Sequence, residues 1–296
     1  MPRAIDHLVI PSRDLAAQAD LYRRLGFQVG RRNRHPFGTE NHVIQLHGAY
    51  LEPIGLGEGF SAPAEAPSEF SFARFVARFL ERHEGLAMIA LRSSNAEKDR
   101  RDFEAKGIGG FKPFAFSRQT LTPNGATAEV KFSLAFAKAP PALGDFSIFA
   151  CQHHRPDLFW SEAAQRHPNG ALKIAGLGFG VERPKEAAEF LARAFDAAEV
   201  EAIPEGLGMS IEGARVLVGT PEGVARAYAL PEPLEGAPPL ALAAFHVADL
   251  AHCRETFREN GVHFAEAGSR LIVAEREAMG AWLAFEATGR SLSKRA

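Results

Sequence analysis

The sequence predicts an α+β protein built from a repeated βαβββ module, and three observations carry that reading. One strand–helix–strand–strand–strand order recurs four times along the 296 residues. Glycine closes one helix after another, in LGFQVG (25–30), KGIGGF (106–111) and NGVHFA (260–265), where the left-handed conformation suits glycine and turns the chain into a return strand. Composition is that of a globular chain, with 46% hydrophobic and 24% charged residues, near the soluble average. At roughly 150 residues per domain, a chain of this length holds about two domains.

The first module opens with a strand at 5–11 (IDHLVIP) and a helix at 15–25 that stops at Gly26. Ala16, Ala19, Leu21, Tyr22 and Leu25 give that helix an apolar face. Asp14, with Ser12 close by, caps it, because a carboxylate accepts from the orphan N–H groups of the first turn. A short strand at 27–29 follows, then a strand pair at 42–46 and 49–53 across His47-Gly48. The second module has a strand at 86–92, a helix at 96–106 capped by Ser94 or Asn95, and strands at 111–117, 128–137 and 145–152. The third has a strand at 173–182, a helix at 185–194 and strands near 199–203, 209–212 and 215–219. The fourth has a strand at 240–247, a helix at 250–259 and strands near 263–265, 270–273 and 281–286.

Some segments fall outside the modules. Residues 58–68 (EGFSAPAEAPS) read as a loop. Residues 69–83 read as an amphipathic helix with Phe72, Phe75, Val76, Phe79 and Leu80 on one face. Residues 160–171 lack periodicity and contain Pro168-Asn169-Gly170, which sets a boundary between a unit at 1–165 and a C-terminal pair of modules at 166–296. Residues 231–239 (PEPLEGAPP) link the last two modules.

Several functions are excluded at this level. Net charge is −2, from 34 basic and 36 acidic residues, so neither nucleic acid nor an anionic membrane is expected as a partner. There is no stretch long and apolar enough to span a membrane. The run MPRAIDHLVI does not have the layout of a signal peptide. Two distant cysteines, Cys151 and Cys253, make no disulfide framework, so a cytoplasmic location is expected. G-x-S-x-G, Walker A, C-x-x-C and H-E-x-x-H are all absent. Gly176, Gly178 and Gly180 lie inside a strand at the wrong spacing for a dinucleotide loop and read as room for close packing.

Candidate chemistry gathers in the N-terminal half. By strict alternation, Ile5, His7 and Val9 share one face of the first strand, and Asp6, Leu8 and Ile10 the other. Glu52 stands on the last strand of the same module among apolar neighbours. In a curved sheet these two strands can face one cavity. An imidazole and a carboxylate suit Zn²⁺, Fe²⁺, Mn²⁺ or Ni²⁺, and equally a metal-free dyad in which the carboxylate orients a histidine base. His153 or His154, in CQHH, could complete a set of two histidines and one carboxylate, or could simply end a strand. Cys151 reads as a small buried residue. The run 31–41 (RRNRHPFGTEN) offers Arg31, Arg32 and Arg34 as clamps for an anionic group, with His35, Thr39 and Asn41 at a cavity mouth, or else forms a solvated hairpin. There are 23 Phe against 3 Tyr and 2 Trp, and Phe111, Phe114, Phe116, Phe132 and Phe136 suggest an apolar wall. His246 and Glu286 hold first- and last-strand places in the fourth module, but the C-terminal half is the poorer candidate for a site.

IDHLVIPSRDLAAQADLYRRLGFQV resembles the first βα unit of the vicinal oxygen chelate superfamily, the glyoxalase, bleomycin-resistance and extradiol-dioxygenase type. HPFGTENHVIQLHGAYLEPIG, CQHHRPDLFW and HPNGA look like its glyoxalase-like-domain branch. The resemblance implies paired βαβββ modules forming cupped mixed sheets around a cavity, a divalent metal at the centre and a substrate with vicinal oxygens. It makes His7 the first-strand ligand and Glu52 the last-strand ligand, with Glu52 and His7 as catalytic residues. The second module carries Met88 or Ala87 where many members have a further ligand, leaving His153 or His154 to complete the set, with Gln152 a poorer option. Arg34, His35 and Asn41 are the expected substrate contacts. The expected function is a metal-dependent lyase, isomerase or dioxygenase, with a metal-free ligand-sequestering protein as the alternative. A small molecule is the expected partner, and a homodimer is the common assembly.

Overall fold

The computed structural model describes residues 2–62, 68–121, 125–232, 234 and 236–288. Parts of two expected connections, at 63–67 and at 233 and 235, lie outside the described residues. The first half contains β1 (Ile5–Pro11), α1 (Leu15–Arg24), β2 (Asn33–Arg34), β3 (Thr39–Asn41), β4 (Ile44–Gln45), β5 (Tyr50–Leu56), α2 (Phe72–Arg82), β6 (Met88–Ser93), α3 (Ala96–Ala105), β7 (Phe114–Leu121), β8 (Thr127–Ala137) and β9 (Ser147–His153). The second contains β10 (Ala171–Gly180), α4 (Pro184–Phe195), β11 (Glu201–Ile203), β12 (Gly206–Ile211), β13 (Ala214–Gly219), α5 (Pro221–Tyr228), β14 (Leu240–Val247), α6 (Leu250–Glu259), β15 (Ala265–Ala267), β16 (Arg270–Val273) and β17 (Trp282–Ala287).

These strands form two curled mixed sheets of the same plan. The first runs β2-β3-β5-β1-β6-β9-β8-β7, with β4 also on β5, and the second runs β11-β12-β13-β10-β14-β17-β16-β15. Within each module the first and last strands pair in parallel, as in β1 with β5 and β6 with β9. The two modules of each sheet meet first strand to first strand, antiparallel, as in β1 with β6 and β10 with β14. Each sheet is thus a pair of βαβββ units, and α1, α3 and α6 start where expected. Asp14, Asn95 and Asp249 cap them through side-chain oxygens that accept from first-turn N–H groups.

The module pattern is modified in three places. The expected strand at 27–29 does not form; Phe27 instead packs as a buried ring against Tyr22, Phe245 and Phe285. The basic run 31–41 supplies the missing strand as the hairpin β2–β3. An inserted helix follows the last strand of the first module of each sheet. The helix expected at 69–83 is α2, and its Phe72, Phe75, Val76, Phe79 and Leu80 are buried. The helix α5 was not legible as periodicity because it is only eight residues long.

Three apolar cores result. A central core joins the helix-bearing faces of both sheets, from Leu8, Leu21 and Phe103 to Phe190, Phe245 and Phe257. A second lies inside the cup of the first sheet under α2. A third lies inside the cup of the second sheet under α5. The glycines of β10 explain how α5 fits into that cup. A Cβ at Gly178 would stand 2.9 Å from Val224, and one at Gly176 would stand 2.8 Å from the Tyr228 hydroxyl, so α5 lies directly on the strand.

The link between the sheets is anchored by the HPNGA run. Gln28 N donates to His167 Nδ1 at 3.0 Å, so His167 Nε2 carries the proton and donates to the Gln45 carbonyl at 2.8 Å. Asn169 Nδ2 donates to the Leu25 carbonyl at 2.7 Å. Gly26, at φ +78°, must be glycine twice over, because a Cβ there would lie 2.8 Å from both Asn169 and Thr256.

Candidate functional site

The cup of the first sheet holds the site, and a β-bulge in β1 shapes it. Ile5 pairs with Leu91 but His7 pairs with Ala90, so two steps on β1 match one on β6. An extra residue in a strand breaks the alternation of faces upstream of it. Ile5 therefore joins Leu8 and Ile10 in the central core, while Val9 packs inside the cup. This corrects the expected sharing of a face by Ile5 and His7. It also brings Asp6 to His7, with Asp6 Oδ2 2.7 Å from His7 Nδ1.

His7 and Glu52 meet as the strand positions allowed. His7 Nε2 lies 3.4 Å from Glu52 Oε2. The ring stacks on Tyr50 at 4.2 Å between centroids and 19° between planes, which fixes its orientation. Both residues are buried, at 3% and 5% exposure. Burial alone would lower the His7 pKa, but the bonds to Asp6 and then Glu52 outweigh it and raise it to about 9. Burial likewise works to raise the carboxyl of Glu52, yet the His7 bond holds it below its ordinary value. Asp6 is depressed in the same way, burial being overcome by His153 and His7.

The hairpin β2–β3 supplies a second imidazole. His35 N donates to the Thr39 carbonyl at 2.9 Å, and His35 Nδ1 lies 2.8 Å from Thr39 Oγ1. Asn41 Nδ2 donates to Glu52 Oε1 and stands 3.4 Å from His35 Nε2. That network puts the proton on His35 Nδ1 and leaves the Nε2 lone pair facing inward, 3.8 Å from Glu52 Oε1. Burial lowers the His35 pKa to about 4, against the opposing pull of Glu52, so this ring is neutral near pH 7.

These groups line one wall of a cleft of about 420 Å³, open mouth included. The other walls are mostly aromatic, from Phe37, Phe72, Phe116, Phe132, Phe149 and Phe159, with Val43, Leu134 and Arg118 among them. Phe159 is held over Tyr50 because Gln45 Nε2 donates to its carbonyl at 2.7 Å and Ser161 N donates back to Gln45 Oε1. Of the five Phe expected as wall, Phe116 and Phe132 line the cleft, and Phe111, Phe114 and Phe136 pack behind them. Cys151 also lines it; burial pushes its thiol pKa well up, so it stays protonated.

The remaining candidates separate. His153 lies one bond beyond the wall, with Nε2 3.1 Å from Asp6 Oδ2 and its ring against Phe132 and Phe159. His154 is exposed, with Nε2 2.9 Å from Ser133 Oγ, so the structure does not bring it to His7 and Glu52. The reason is the alternation that puts adjacent strand residues on opposite faces. Arg34 is not in the cleft either: its side chain is 80% exposed and pairs with Glu40. Arg32 also pairs with Glu40. Two charged residues of the site were missed from the sequence. Asp6 carried a signal, being one of two adjacent polar residues in an otherwise apolar strand. Arg118 carried one too, since it falls in phase with Phe114 and Phe116 along β7.

Does this donor set fit a divalent metal? His7 and His35 each have Nδ1 engaged by an oxygen, and each presents Nε2 toward a Glu52 oxygen. Metal-binding imidazoles are oriented by such outer hydrogen bonds, so the residues fit. Asp6, His7 and Cys151 also have ligand atoms within 4.8 Å of one another. That trio fits less well, because Asp6 Oδ2 already serves two histidines and the thiol is held protonated. The second module offers no counterpart. Superposing the helix caps Asp14 and Asn95 puts Met88 in the place of His7 and Ala90 in that of Val9. Glu52 pairs with Val9, and Phe149 pairs with Ala90, so Phe149 takes the place of Glu52.

Residues 5–195 match the family model described as a glyoxalase-like domain. No curated protein matches the chain by sequence. Among solved structures, a hypothetical protein from Staphylococcus aureus is 13% identical with a TM-score of 0.65, over 96% of this chain and 99% of that one. A mutant of 4-hydroxymandelate synthase from Streptomyces coelicolor is 12% identical with a TM-score of 0.60, over 98% and 95%. A fusion of a xylose isomerase-like TIM barrel with a 4-hydroxyphenylpyruvate dioxygenase is 14% identical with a TM-score of 0.56, over 98% of this chain and 50% of that one. At these identities the likeness is one of fold. Among the described residues, no helix is long and apolar enough to cross a membrane.

Proposed function

The chain belongs to the glyoxalase-like domain family of the vicinal oxygen chelate superfamily, and from that premise we propose that it is an enzyme acting on a small, largely apolar molecule with adjacent oxygens. The observation that carries this is the His7–Glu52 contact of 3.4 Å inside a cleft whose other walls are mostly aromatic. Buried titratable groups at the polar end of an apolar cleft mark reactive sites. His7 and Glu52 would hold a divalent metal, with His35 as the nearest further imidazole. Such a metal supplies a Lewis acid for adjacent substrate oxygens. The chain's own residues do the rest. Asp6 fixes the His7 ring so that Nε2 faces the cleft. Glu52 is the carboxylate placed to take a proton from a bound substrate. His35, neutral and held by Thr39, offers a second proton acceptor beside Glu52. The phenylalanines exclude water from the reacting end.

A metal-free binding role is the second reading, favoured by Met88 and Phe149, which leave the second module without ligands. Metal analysis of untagged protein separates the two. The enzyme reading expects about one equivalent of divalent metal, lost in His7→Ala and in Glu52→Gln. Substoichiometric metal that neither substitution alters refutes it. The second sheet, whose cup is occupied in part by α5 and keeps a cleft lined by Tyr228, His246 and Glu286, is proposed as a degenerate pair that supports the first.

A further inference from the structure

Arg118 projects from β7 into the aromatic part of the cleft. Its side chain is half-buried, and Nε is buried with no hydrogen-bond partner. Nη1 donates to Asn33 Oδ1 at 3.1 Å, and Cζ lies 5.9 Å from the Phe132 ring centroid. Among the described residues, no carboxylate lies within ion-pair distance of it. Buried charges in proteins are normally paired, since an unpaired one carries its full desolvation cost. Arg118 therefore stands as a partly desolvated cation with an orphan donor on the wall of the cleft. Burial is also the main influence on its pKa, which falls below the ordinary value.

The position is fixed rather than incidental. Asn33, which takes the Nη1 bond, donates through Nδ2 to Asn41 Oδ1 at 3.2 Å. Asn41 in turn donates to Glu52. One string of hydrogen bonds thus ties Arg118 on the second module to Glu52 on the first. Arg32 and Arg34 of the 31–41 run do not serve the cleft in its place, because both are paired with Glu40.

We propose that Arg118 recognises the carboxylate of an aryl- or alkyl-substituted acid whose apolar part lies among Phe37, Phe116 and Phe132. This rests on reading the cleft as a small-molecule site and adds the charge of the ligand to it. A planar guanidinium with free donors matches a carboxylate in charge and shape. The acid's apolar part gains from the phenylalanine walls, and its anion removes the unpaired charge.

The test is calorimetric titration of the full chain at neutral pH with phenylacetate, 3-phenylpropanoate and 4-phenylbutanoate, each against its neutral amide. The best acid is expected to bind about tenfold or more tightly than its amide. Arg118→Gln should bring the acid down to the affinity of the amide and leave the amide within about twofold of its native value. Arg118→Lys should restore part of the preference, as charge without the fork. Equal affinity of acid and amide in the native protein overturns the proposal. So does a preference that survives in Arg118→Gln, and so does failure of the whole series to bind. No turnover is read, so the catalytic reading stands or falls separately. Acid preference with substoichiometric metal sinks the metal-dependent enzyme alone, and stoichiometric metal without acid preference sinks this proposal alone.

Discussion

Asp6→Asn asks whether the bulge in β1 sets the charge of His7. In the native protein Asp6 Oδ2 lies 2.7 Å from His7 Nδ1, and Glu52 Oε2 lies 3.4 Å from His7 Nε2. Together they hold the ring at a pKa of about 9 against burial. A hydrogen bond to a charged partner contributes about 1.5–3 kcal/mol, and one pKa unit is about 1.4 kcal/mol. Losing the charge of Asp6 should therefore lower His7 by about one to two units, to between about 7 and 8. Glu52→Gln removes the longer contact and should lower it by less. The assay is NMR titration of the His7 ring in chelator-treated protein. The linked stability has a definite sign. The raised pKa of His7 contributes stability that is whole below its ordinary 6.5 and is lost as pH climbs through about 9. The depressed pKa of Asp6 contributes stability that is whole above its ordinary 3.8 and is lost as pH falls below it. The melting-temperature gap between native and Asp6→Asn protein should thus be widest between pH 3.8 and 6.5 and narrow toward pH 9, where the His7 part is lost. A folded Asp6→Asn protein in which His7 titrates as in the native chain refutes Asp6 as the dominant partner.

Two further predictions concern the frame of the site. Gly178→Ala puts a methyl 2.9 Å from Val224 Cγ1 and 3.2 Å from Leu242 Cβ. It should destabilise by about 1–3 kcal/mol in chemical denaturation, and less in a Val224→Ala background; equal losses in both would refute the packing of α5 on β10. The two sheets should unfold as one unit, because Phe27 packs on Phe245 and Phe285 and Arg3 bonds Asp99 and Asp196. Calorimetry should show one transition with matching calorimetric and van't Hoff enthalpies, and two separate transitions would contradict the shared central core.

The module plan was legible because its signals are local. Residues 5–11, 240–247 and 250–259 carry strand and helix patterns whose bounds match β1, β14 and α6. Asp14 and Gly26 mark the ends of α1 by chemistry that involves only the adjacent turn. The helix α2 shows its apolar face because it packs one side on the cup. Residues 27–29 misled for a related reason: Phe-Gln-Val after a glycine alternates like a strand, but Phe27 is buried by the other sheet, which no local pattern reports.

The sequence by itself determined the βαβββ repeat, the family likeness and the first- and last-strand places of His7 and Glu52, since each depends on spacing along one chain segment. Tertiary structure decided who surrounds them. A single-residue register shift against β6 turned Asp6 onto His7. Strand alternation kept His153 near Asp6 and sent His154 to Ser133. The hairpin carried His35 and Asn41 to Glu52 and left Arg34 outside with Glu40. Arg118, 66 residues beyond Glu52 in number, reached the same cleft through Asn33 and Asn41. A site of this kind is assembled from residues distant in the chain, and their meeting depends on strand register and sheet curvature, neither of which is encoded within any one segment.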